Sequence, residues 1–223
     1  CSSYILVKAL KYFGANVDVR IPDRIKDGYG INDNIINEAA NEGVDMIITC
    51  DNGIAAHSQM ELARKLGIKV IITDHHEVYQ ENDKDLLPVA NVVINPKRSD
   101  CEYPFKSICG GLVAYKLMEY IYEKRNNGKK IYDDPELKDL LEVAAIATVG
   151  DVMPLIDENR ILVKNGLKSL MNTNNLGLQA LIRVTGMEGK KLSAYSIGFV
   201  LGPCLNAGGR LENALIALNM FMA

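Results

Sequence analysis

The apolar residues in the first half of the chain follow two alternating patterns. Four short runs of β-branched and apolar residues are separated by segments in which apolar residues recur with helical spacing. The runs are Val17–Ile21, Met46–Thr49, Val70–Thr73 and Val92–Ile94. Strands that alternate with helices are typical of a parallel sheet, because parallel strands need a crossover connection. The pattern therefore predicts an α/β fold, an open parallel sheet with flanking helices.

Helical spacing also defines the two ends of the chain. The opening segment has apolar residues at positions i, i+3, i+4 and i+7 of a helix, namely Leu6, Ala9, Leu10 and Phe13. Gly14, Gly43 and Gly67 stand where the first helices are expected to end. From about Val113 the pattern is almost wholly helical, apart from an expected loop at 125–134. We therefore predict a parallel α/β part over 1–112 and a mostly helical C-terminal half of the same domain over 113–223.

Composition narrows the class of protein. The chain has 223 residues, of which 48% are hydrophobic and 24% charged, which is enough for a sizeable core and excludes a disordered chain. It has no run of 18 apolar residues and no charged-then-apolar leader, so no membrane association is expected. Five scattered cysteines without a C-x-x-C pair argue against a disulfide framework and a zinc ribbon, which favours a cytoplasmic location. The formal charge of −3 predicts no broad basic face, so a nucleic acid would have to be held by local cations or metal ions.

Every apolar run stops at a polar cluster. The clusters are Pro22-Asp23-Arg24, Asp51-Asn52-Gly53, Asp74-His75-His76 and Asn95-Pro96. Ligands of open parallel sheets bind beyond the carboxyl ends of the strands, so these clusters are expected to meet at one site.

Carboxylate and imidazole groups in these clusters suggest a metal. Asp51 and His75 are donors that suit Mn²⁺ or a similar octahedral ion better than a tetrahedral zinc. Asp151 follows a strongly apolar helix, where we expect it to be buried; because an unpaired buried charge is costly, a metal would account for it. Each residue also has a simpler interpretation. Asp51 can belong to an ordinary Asp-Asn-Gly turn, the histidines can be a capped pair, and Asp151 can cap the next segment.

Two glycine-rich segments are candidates for anion binding. Residues 107–111 open a helix whose free N–H groups could receive an anion, although close helix packing is the simpler explanation there. Residues 202–210 are expected to form a tight loop or to place Arg210 at a helix start, and Asn206 and Arg210 beside two glycines favour contact with phosphate. Arg24 is a third candidate anion ligand, although an isolated surface arginine is more often only solvated.

Seven ordered motifs resemble the DHH phosphoesterases, and among them the RecJ-type branch of single-strand-specific 5′→3′ exonucleases. The motifs cover nearly the whole chain: Ile21-Pro22-Asp23-Arg24 with Gly28-Tyr29-Gly30-Ile31, Asp51-Asn52-Gly53, Asp74-His75-His76, Asn95-Pro96, Cys109-Gly110-Gly111, Gly150-Asp151-Val152-Met153-Pro154-Leu155 and Leu205-Asn206-Ala207-Gly208-Gly209-Arg210. The resemblance implies a metal-dependent phosphodiesterase of DNA repair and recombination that acts on single-stranded DNA.

The resemblance also implies roles for individual residues. Asp51 would bridge two Mn²⁺ or Mg²⁺ ions, and His75 and Asp151 would bind one of them. His76 would face the scissile phosphate, with Asp74 orienting the histidine pair from behind. Arg24 and Arg210 are similar to family positions that hold DNA phosphates, and Asn206 is a weaker candidate. The expected reaction is an in-line attack by a water molecule that the ions activate.

The chain departs from the family pattern at its ends. The first family motif, an Asp-x-Asp-Gly after a strand, would lie before Cys1, and the chain has no initiator Met. The C-terminal substrate-binding domain of the family would follow residue 223. The resemblance therefore implies a catalytic core without its first strand and first motif, and predicts that these 223 residues alone are weak or inactive.

Three other functions are consistent with parts of the sequence. A DHH phosphoesterase for short oligonucleotides or cyclic dinucleotides would use the same ligands. A non-catalytic DHH scaffold would lose ligands, whereas Asp51, His75 and Asp151 are all present. A plain nucleotide-binding module would need a G-x-G-x-x-G or P-loop motif, which the sequence lacks.

Overall fold

The computed structural model of the chain describes residues 1–22, 30–211 and 215–223, apart from the side chains of 208–211. The described chain forms two compact units. The helical unit comprises Cys1–Ile21 and Ala114–Ala223, and the sheet unit comprises Pro22–Val113. Contacts thus group the opening helix with the C-terminal half, while the predicted domain division at 112/113 stays a prediction. None of the helices in the described ranges combines the length and apolar character needed to cross a bilayer.

The sheet unit contains three parallel strands, which lie side by side in the order in which they occur along the chain. They are β1 (Met46–Cys50), β2 (Lys69–Thr73) and β5 (Val92–Ile94), which confirms three of the four predicted runs. A short antiparallel hairpin, β3 (Gln80–Glu81) and β4 (Lys84–Asp85), lies between β2 and β5 in the chain. The predicted open parallel sheet is therefore present.

Helix α2 (Asp33–Asn41) precedes β1, and helix α3 (His57–Lys65) connects β1 to β2. Gly43 and Gly67 follow them with φ angles of +71° and +78°, the left-handed conformation that commonly ends a helix. The core of the unit is made by apolar residues from both helices, from β2 and from the position just before β2, namely Ile36, Met60, Ala63, Ile68, Val70 and Ile72. Both predicted helix ends are confirmed.

The strand predicted at Val17–Ile21 was wrong. Residues 15–22 carry no regular secondary structure, although Val17, Val19 and Ile21 are half-buried and alternate with exposed positions as they would in a strand. A strand also needs a neighbour that completes its hydrogen-bond ladder. No strand of the described chain pairs with this segment, so the alternating pattern alone does not make it a strand.

The helical unit consists of helices joined by short connections. Its elements are α1 (Ser2–Tyr12), most of α4 (Gly110–Arg125), a 3₁₀ turn (Ile131–Asp133), α5 (Asp139–Gly150), α6 (Asp157–Leu170), α7 (Leu176–Val184), α8 (Ala194–Ser196), a π-helical turn (Ile197–Leu201), α9 (Gly202–Leu211) and α10 (Leu215–Met222). Helices α5 and α6 pack closely because Gly166 has no side chain; a Cβ there would lie 2.4 Å from that of Ala145. The largely helical pattern predicted for this half is confirmed.

A buried polar network joins helices α1, α5 and the start of α7. Lys8 Nζ lies 2.7 and 2.8 Å from the two carboxylate oxygens of Asp139, which also accepts hydrogen bonds from Tyr4 and Asn175. Asn175 in addition caps α7 by accepting from the backbone of Leu178. The carboxylate is thus paired with a cation and enclosed by hydrogen-bond donors.

Candidate metal centre

Three of the polar clusters lie side by side at the carboxyl edge of the sheet. Cys50, Thr73 and Ile94 occupy the same rung, since Cys50 pairs with Thr73 and Thr73 with Ile94. Asp51, Asp74 and Asn95 come directly after these residues, so all three lie next to one another at the ends of their strands. The predicted convergence is confirmed for these three clusters. In the fourth, Asp23 and Arg24 lie outside the described residues.

The backbone turns sharply at Asp51. This residue has a φ angle of +61°, a left-handed conformation that aspartate tolerates better than most residues. Its N–H donates to the carbonyl of Thr73 at 2.9 Å, and Thr49 Oγ1 donates to the carbonyl of Asn52 at 2.8 Å. The first bond ties the end of β1 to β2, and the second closes the turn that carries Asp51.

Gly110, the first residue of α4, leaves the space that the Asp51 carboxylate occupies. A Cβ at Gly110 would lie 2.2 Å from Oδ1 of Asp51, closer than any real contact. The carboxylate therefore lies against the N-terminal turn of a 16-residue helix, where the helix dipole favours a negative charge. Close packing was the simpler sequence interpretation of the Cys-Gly-Gly motif, and the group packed here is the candidate ligand itself.

Asp74 holds the histidine pair in place. Its Oδ1 accepts from the backbone N–H of His75 at 2.8 Å and lies 2.7 Å from Nδ1 of His76. Its Oδ2 accepts from the backbone N–H of Ile54 at 3.0 Å. Asn95 adds a second restraint, because its Nδ2 donates to the carbonyl of His76 at 2.9 Å.

Asp51, His75 and His76 form a cluster of possible metal ligands. One ligand atom from each residue lies within 4.8 Å of those of the other two. Nε2 of His75 is 3.1 Å from Oδ1 of Asp51, and the two imidazole rings have centroids 4.5 Å apart. His75 is buried, whereas Asp51 and His76 are exposed, so the cluster opens toward solvent.

The charge of the cluster suits a cation. Loss of hydration acts most strongly on Asp51 and by itself raises its pKa, but the hydrogen bond to His75 and the charges of both histidines outweigh it. The pKa of the Asp51 carboxyl is therefore held below its usual value, and the group is ionised at neutral pH. An ionised carboxylate and two imidazoles are a donor set for Mn²⁺ and similar transition-metal ions. The three residues therefore fit a divalent metal.

Asp151 differs from its expected environment. It is the C-cap residue that follows α5, and it is exposed, so the prediction that it is buried was wrong. The apolar helix before it ends at Gly150, and the chain then turns outward through Val152, which has a φ angle of +55° and is largely exposed. Asp151 belongs to the helical unit, and its predicted role as a ligand beside Asp51 stays a prediction.

The glycine-rich segment around Asn206 is helical. Residues Gly202–Leu211 form α9, so the expectation of a tight loop, or of a helix that starts near Arg210, was wrong. The helix continues from the π-helical turn Ile197–Leu201, whose wider spacing precedes Pro203 and accommodates a residue that has no N–H to donate. Asn206 is exposed on α9, while the side chain of Arg210 lies outside the described residues.

Some supporting residues were missed by sequence reasoning. Asn95 was recognised only as part of a polar cluster, and its bond to the His76 carbonyl was not predicted. Sequence reasoning also missed the hydrogen bond that the backbone N–H of Ile54 donates to Asp74, and the space that Gly110 leaves for the Asp51 carboxylate. No local pattern indicates them, because each depends on contact with a distant part of the chain.

The fold and the cluster define a class of protein: a parallel α/β domain with candidate metal ligands at the carboxyl edge of its sheet. Residues 1–148 match the family model described as the DHH family, N-terminal domain. The chain belongs to the DHH family.

Relatives of known name support the same assignment. The chain is 40% identical over 223 residues to the single-stranded-DNA-specific exonuclease RecJ of Bacillus subtilis, covering 100% of this chain and 26% of that protein. It is 37% identical to RecJ of Escherichia coli, covering 99% of this chain and 38% of that protein. The chain thus spans between about a quarter and two fifths of the length of these relatives.

Solved structures show the same fold. The crystal structure of a RecJ exonuclease bound to manganese has a TM-score of 0.84 and 30% identity, covering 99% of this chain and 52% of that one. The structure of RecJ from Thermus thermophilus in complex with Mn²⁺ has a TM-score of 0.78 and 28% identity, covering 100% of this chain and 30% of that one.

Proposed function

We propose that this protein is the catalytic core of a metal-dependent phosphodiesterase, a 5′→3′ exonuclease that acts on single-stranded DNA in repair and recombination. The observation that carries the proposal is the cluster of Asp51, His75 and His76 at the carboxyl edge of the sheet. Relatives named as single-stranded-DNA-specific exonucleases and manganese-bound structures support it.

Two divalent ions, Mn²⁺ or Mg²⁺, are the proposed cofactors. Asp51 would bridge them, and His75 and Asp151 would complete the ligands that this chain supplies. When bound, the ions provide the Lewis acidity that activates a water molecule and neutralises charge on the phosphate. The lowered pKa of Asp51 supports its part, because a ligand that stays ionised at neutral pH does not lose its charge to a proton.

His76 is proposed to act on the phosphate. The carboxylate of Asp74 accepts from its Nδ1, so Nδ1 carries the hydrogen and Nε2 is the atom directed away from Asp74. A proton on Nε2 would allow it to donate to a phosphate oxygen, and without that proton the atom could bind a metal. Asp74 thereby fixes the ring and its tautomer, which is the orienting role proposed for it.

The substrate contacts are proposed from the sequence motifs. Arg24, Arg210 and the exposed Asn206 would hold DNA phosphates, together with a C-terminal substrate-binding domain of the same protein. Single-stranded DNA is the proposed partner and the cytoplasm the proposed location. In a chain with a formal charge of −3, bound dications would supply the positive charge at the site.

Mn²⁺ binding and hydrolysis together test this function. Isothermal titration of Mn²⁺ and cleavage of 5′-labelled single-stranded DNA would be measured for the wild type, for Asp51→Asn and for Glu81→Gln, an exposed control on the hairpin. Asp51→Asn should lose Mn²⁺ affinity and lower any hydrolysis by more than about a hundredfold, because the ligand shared by both ions loses its charge. Unchanged Mn²⁺ affinity in Asp51→Asn would refute the proposed centre. Faster cleavage of short than of long oligonucleotides would favour the short-oligonucleotide phosphoesterase instead.

We also propose that these 223 residues are a weak or inactive nuclease by themselves. The family resemblance places further aspartate ligands before Cys1, and the chain spans only 26% to 38% of the two relatives described above. A longer protein that includes the upstream motif should cleave single-stranded DNA with Mn²⁺ much faster than this chain does. Equal rates for the two proteins would contradict this part of the proposal.

A further inference from the structure

Two aromatic side chains are stacked on the surface of the helical unit. The rings of Tyr195 and Phe199 have centroids 4.7 Å apart and an interplanar angle of 25°. Tyr195 is 67% exposed and Phe199 is 70% exposed. Large aromatic residues contribute most to stability when they are buried, so a stacked pair with this much exposed ring surface is better suited to contact with another molecule.

The pair lies on a helical run that also carries Asn206 and Arg210, the candidate residues for binding phosphate. Tyr195 belongs to α8, and Phe199 lies in the π-helical turn that leads directly into α9. Exposed positions continue at Pro203 and Asn206, so two aromatic rings are followed by an amide along the same run of helix. π-Helical turns are rare and are found frequently at functional sites.

The charge of this segment differs from that of the chain. Residues 189–211 contain three basic residues, Lys190, Lys191 and Arg210, and no Asp or Glu, whereas the whole chain has a formal net charge of −3. Lys190 and Lys191 are exposed, and only Leu192 separates them from the capping box that opens α8 at Ser193. The aromatic pair therefore lies within a stretch of chain whose own charge is positive and suits an anionic partner.

We propose that Tyr195 and Phe199 form a stacking platform for unpaired bases of single-stranded DNA. The proposal rests on the proposed function, which supplies the nucleic acid. Aromatic rings bind the faces of unpaired bases with little sequence preference, and neighbouring lysines bind the phosphates. In a duplex the bases are stacked on one another, so the platform selects single strands.

Binding of DNA without hydrolysis provides the test. Fluorescence anisotropy of a labelled oligothymidylate would be measured in EDTA, so that no divalent ion is present, for the wild type, Tyr195→Leu, Phe199→Leu and Phe199→Tyr. Each leucine keeps apolar area but removes the π face. Each should weaken binding by roughly fivefold to a hundredfold, and Phe199→Tyr should bind like the wild type.

An oligomer of abasic sites serves as the matched ligand. It keeps the phosphates and has no base to stack, so the wild type and both leucine variants should bind it equally. If the leucine variants bind oligothymidylate like the wild type, or if their loss is the same on the abasic oligomer, the stacking platform is refuted. A wild type that does not bind oligothymidylate also refutes it, and would leave a protein partner as the occupant to examine.

Phe199→Trp gives a direct signal, because the chain has no tryptophan. Stacking with a base should quench the fluorescence of this single indole when oligothymidylate is added. Tyr120→Trp places the same fluorophore on the exposed side of α4 and should show no quenching. If oligothymidylate quenches the fluorescence of neither variant, the proposal is contradicted.

The nuclease assay separates this proposal from the proposed function. Base-dependent binding that both leucine variants lose, together with no cleavage by a longer protein that includes the upstream motif in the presence of Mn²⁺, would retain the platform and reject the nuclease. Cleavage of DNA by a protein whose leucine variants bind oligothymidylate normally would retain the nuclease and reject the platform.

Discussion

Each unit contains a buried aspartate, and the charges of the two carboxylates are stabilised by different kinds of partner. Asp139 of the helical unit is 4% exposed and is paired with Lys8, which contacts both carboxylate oxygens. Asp74 of the sheet unit is 1% exposed and has no lysine or arginine among its described partners. It accepts backbone N–H groups and contacts the ring of His76, whose other nitrogen remains directed away.

The difference separates a carboxylate that is paired with a cation from one that supports an exposed side chain. A buried charge must be paired or hydrogen-bonded, and both residues meet that requirement. The described partners of Asp139 are Lys8, Tyr4 and Asn175, which all belong to the helical unit and hold the carboxylate in place. At Asp74 the interaction passes to an exposed imidazole, so the buried charge can influence whatever binds at the surface.

Asp139→Ala should have the largest effect on stability. It leaves Lys8 without its buried partner, and breaking such a pair costs about 3 kcal/mol, at the lower end of the usual range because Lys8 keeps some contact with solvent. Thermal and denaturant unfolding would measure the loss, and Mn²⁺ affinity should not change. The control is Asp18→Ala, which removes an exposed ion pair with Arg20 and should cost little. Equal losses in the two variants would mean that the network does not stabilise the unit.

Asp74→Asn should instead lower Mn²⁺ affinity strongly and stability only a little. The isosteric amide has one acceptor oxygen in place of two, so it can accept from Ile54 or from the histidines but not from both, and it no longer orients His76 as an anion. Such changes behind a ligand cost about 10- to 100-fold in metal affinity or activity. Titration of Mn²⁺ would show the loss, while the melting temperature should fall less than in Asp139→Ala. Normal Mn²⁺ affinity together with a large loss of stability would make Asp74 a structural residue like Asp139.

Sequence patterns predicted the elements whose signals are local. The runs that became β1, β2 and β5 are apolar and β-branched, and glycines marked the ends of α2 and α3. The meeting of Asp51 with the histidines followed from parallel topology, because strand ends share one edge. These predictions needed only neighbouring residues and one rule of topology.

The errors came from features that depend on the rest of the chain. Val17–Ile21 has the pattern of a strand, but a ladder needs a neighbouring strand. Asp151 was expected to be buried because an apolar helix precedes it, yet its exposure depends on where that helix ends. The glycines of α9 suggested a loop, although context overrides helix propensity.

Gly110→Ala should disturb the metal centre without removing a ligand. The added methyl group would occupy the position of the Asp51 carboxylate, which must move, and we expect a loss of Mn²⁺ affinity of about tenfold. Gly198→Ala is the matched control in a helical segment, since its Cβ would meet Val149 only at an ordinary 3.6 Å. If both variants bind Mn²⁺ normally, the carboxylate position at Gly110 is not required for the centre.

The smallest effect is expected at Glu142, a fully buried carboxyl on α5 that accepts from Ser169 Oγ. Burial raises its pKa most strongly and the nearby Asp139 raises it further, while bonds with Ser169 and Thr173 and the charge of Lys138 oppose the rise. A raised pKa in the folded state means that the proton favours folding. Its contribution to stability is complete below the ordinary glutamate pKa and is lost as the pH rises through the folded value.

Glu142→Gln keeps the neutral form at every pH. Between acidic and neutral pH the wild type should therefore lose a part of its unfolding free energy that Glu142→Gln retains, and Glu136→Gln, on the surface, should follow the wild type. Unfolding by denaturant at a series of pH values measures the three curves. Parallel curves for the wild type and Glu142→Gln would show that Glu142 is ionised in the fold, and then the helical unit would hold a second buried charge, one without the lysine that neutralises Asp139.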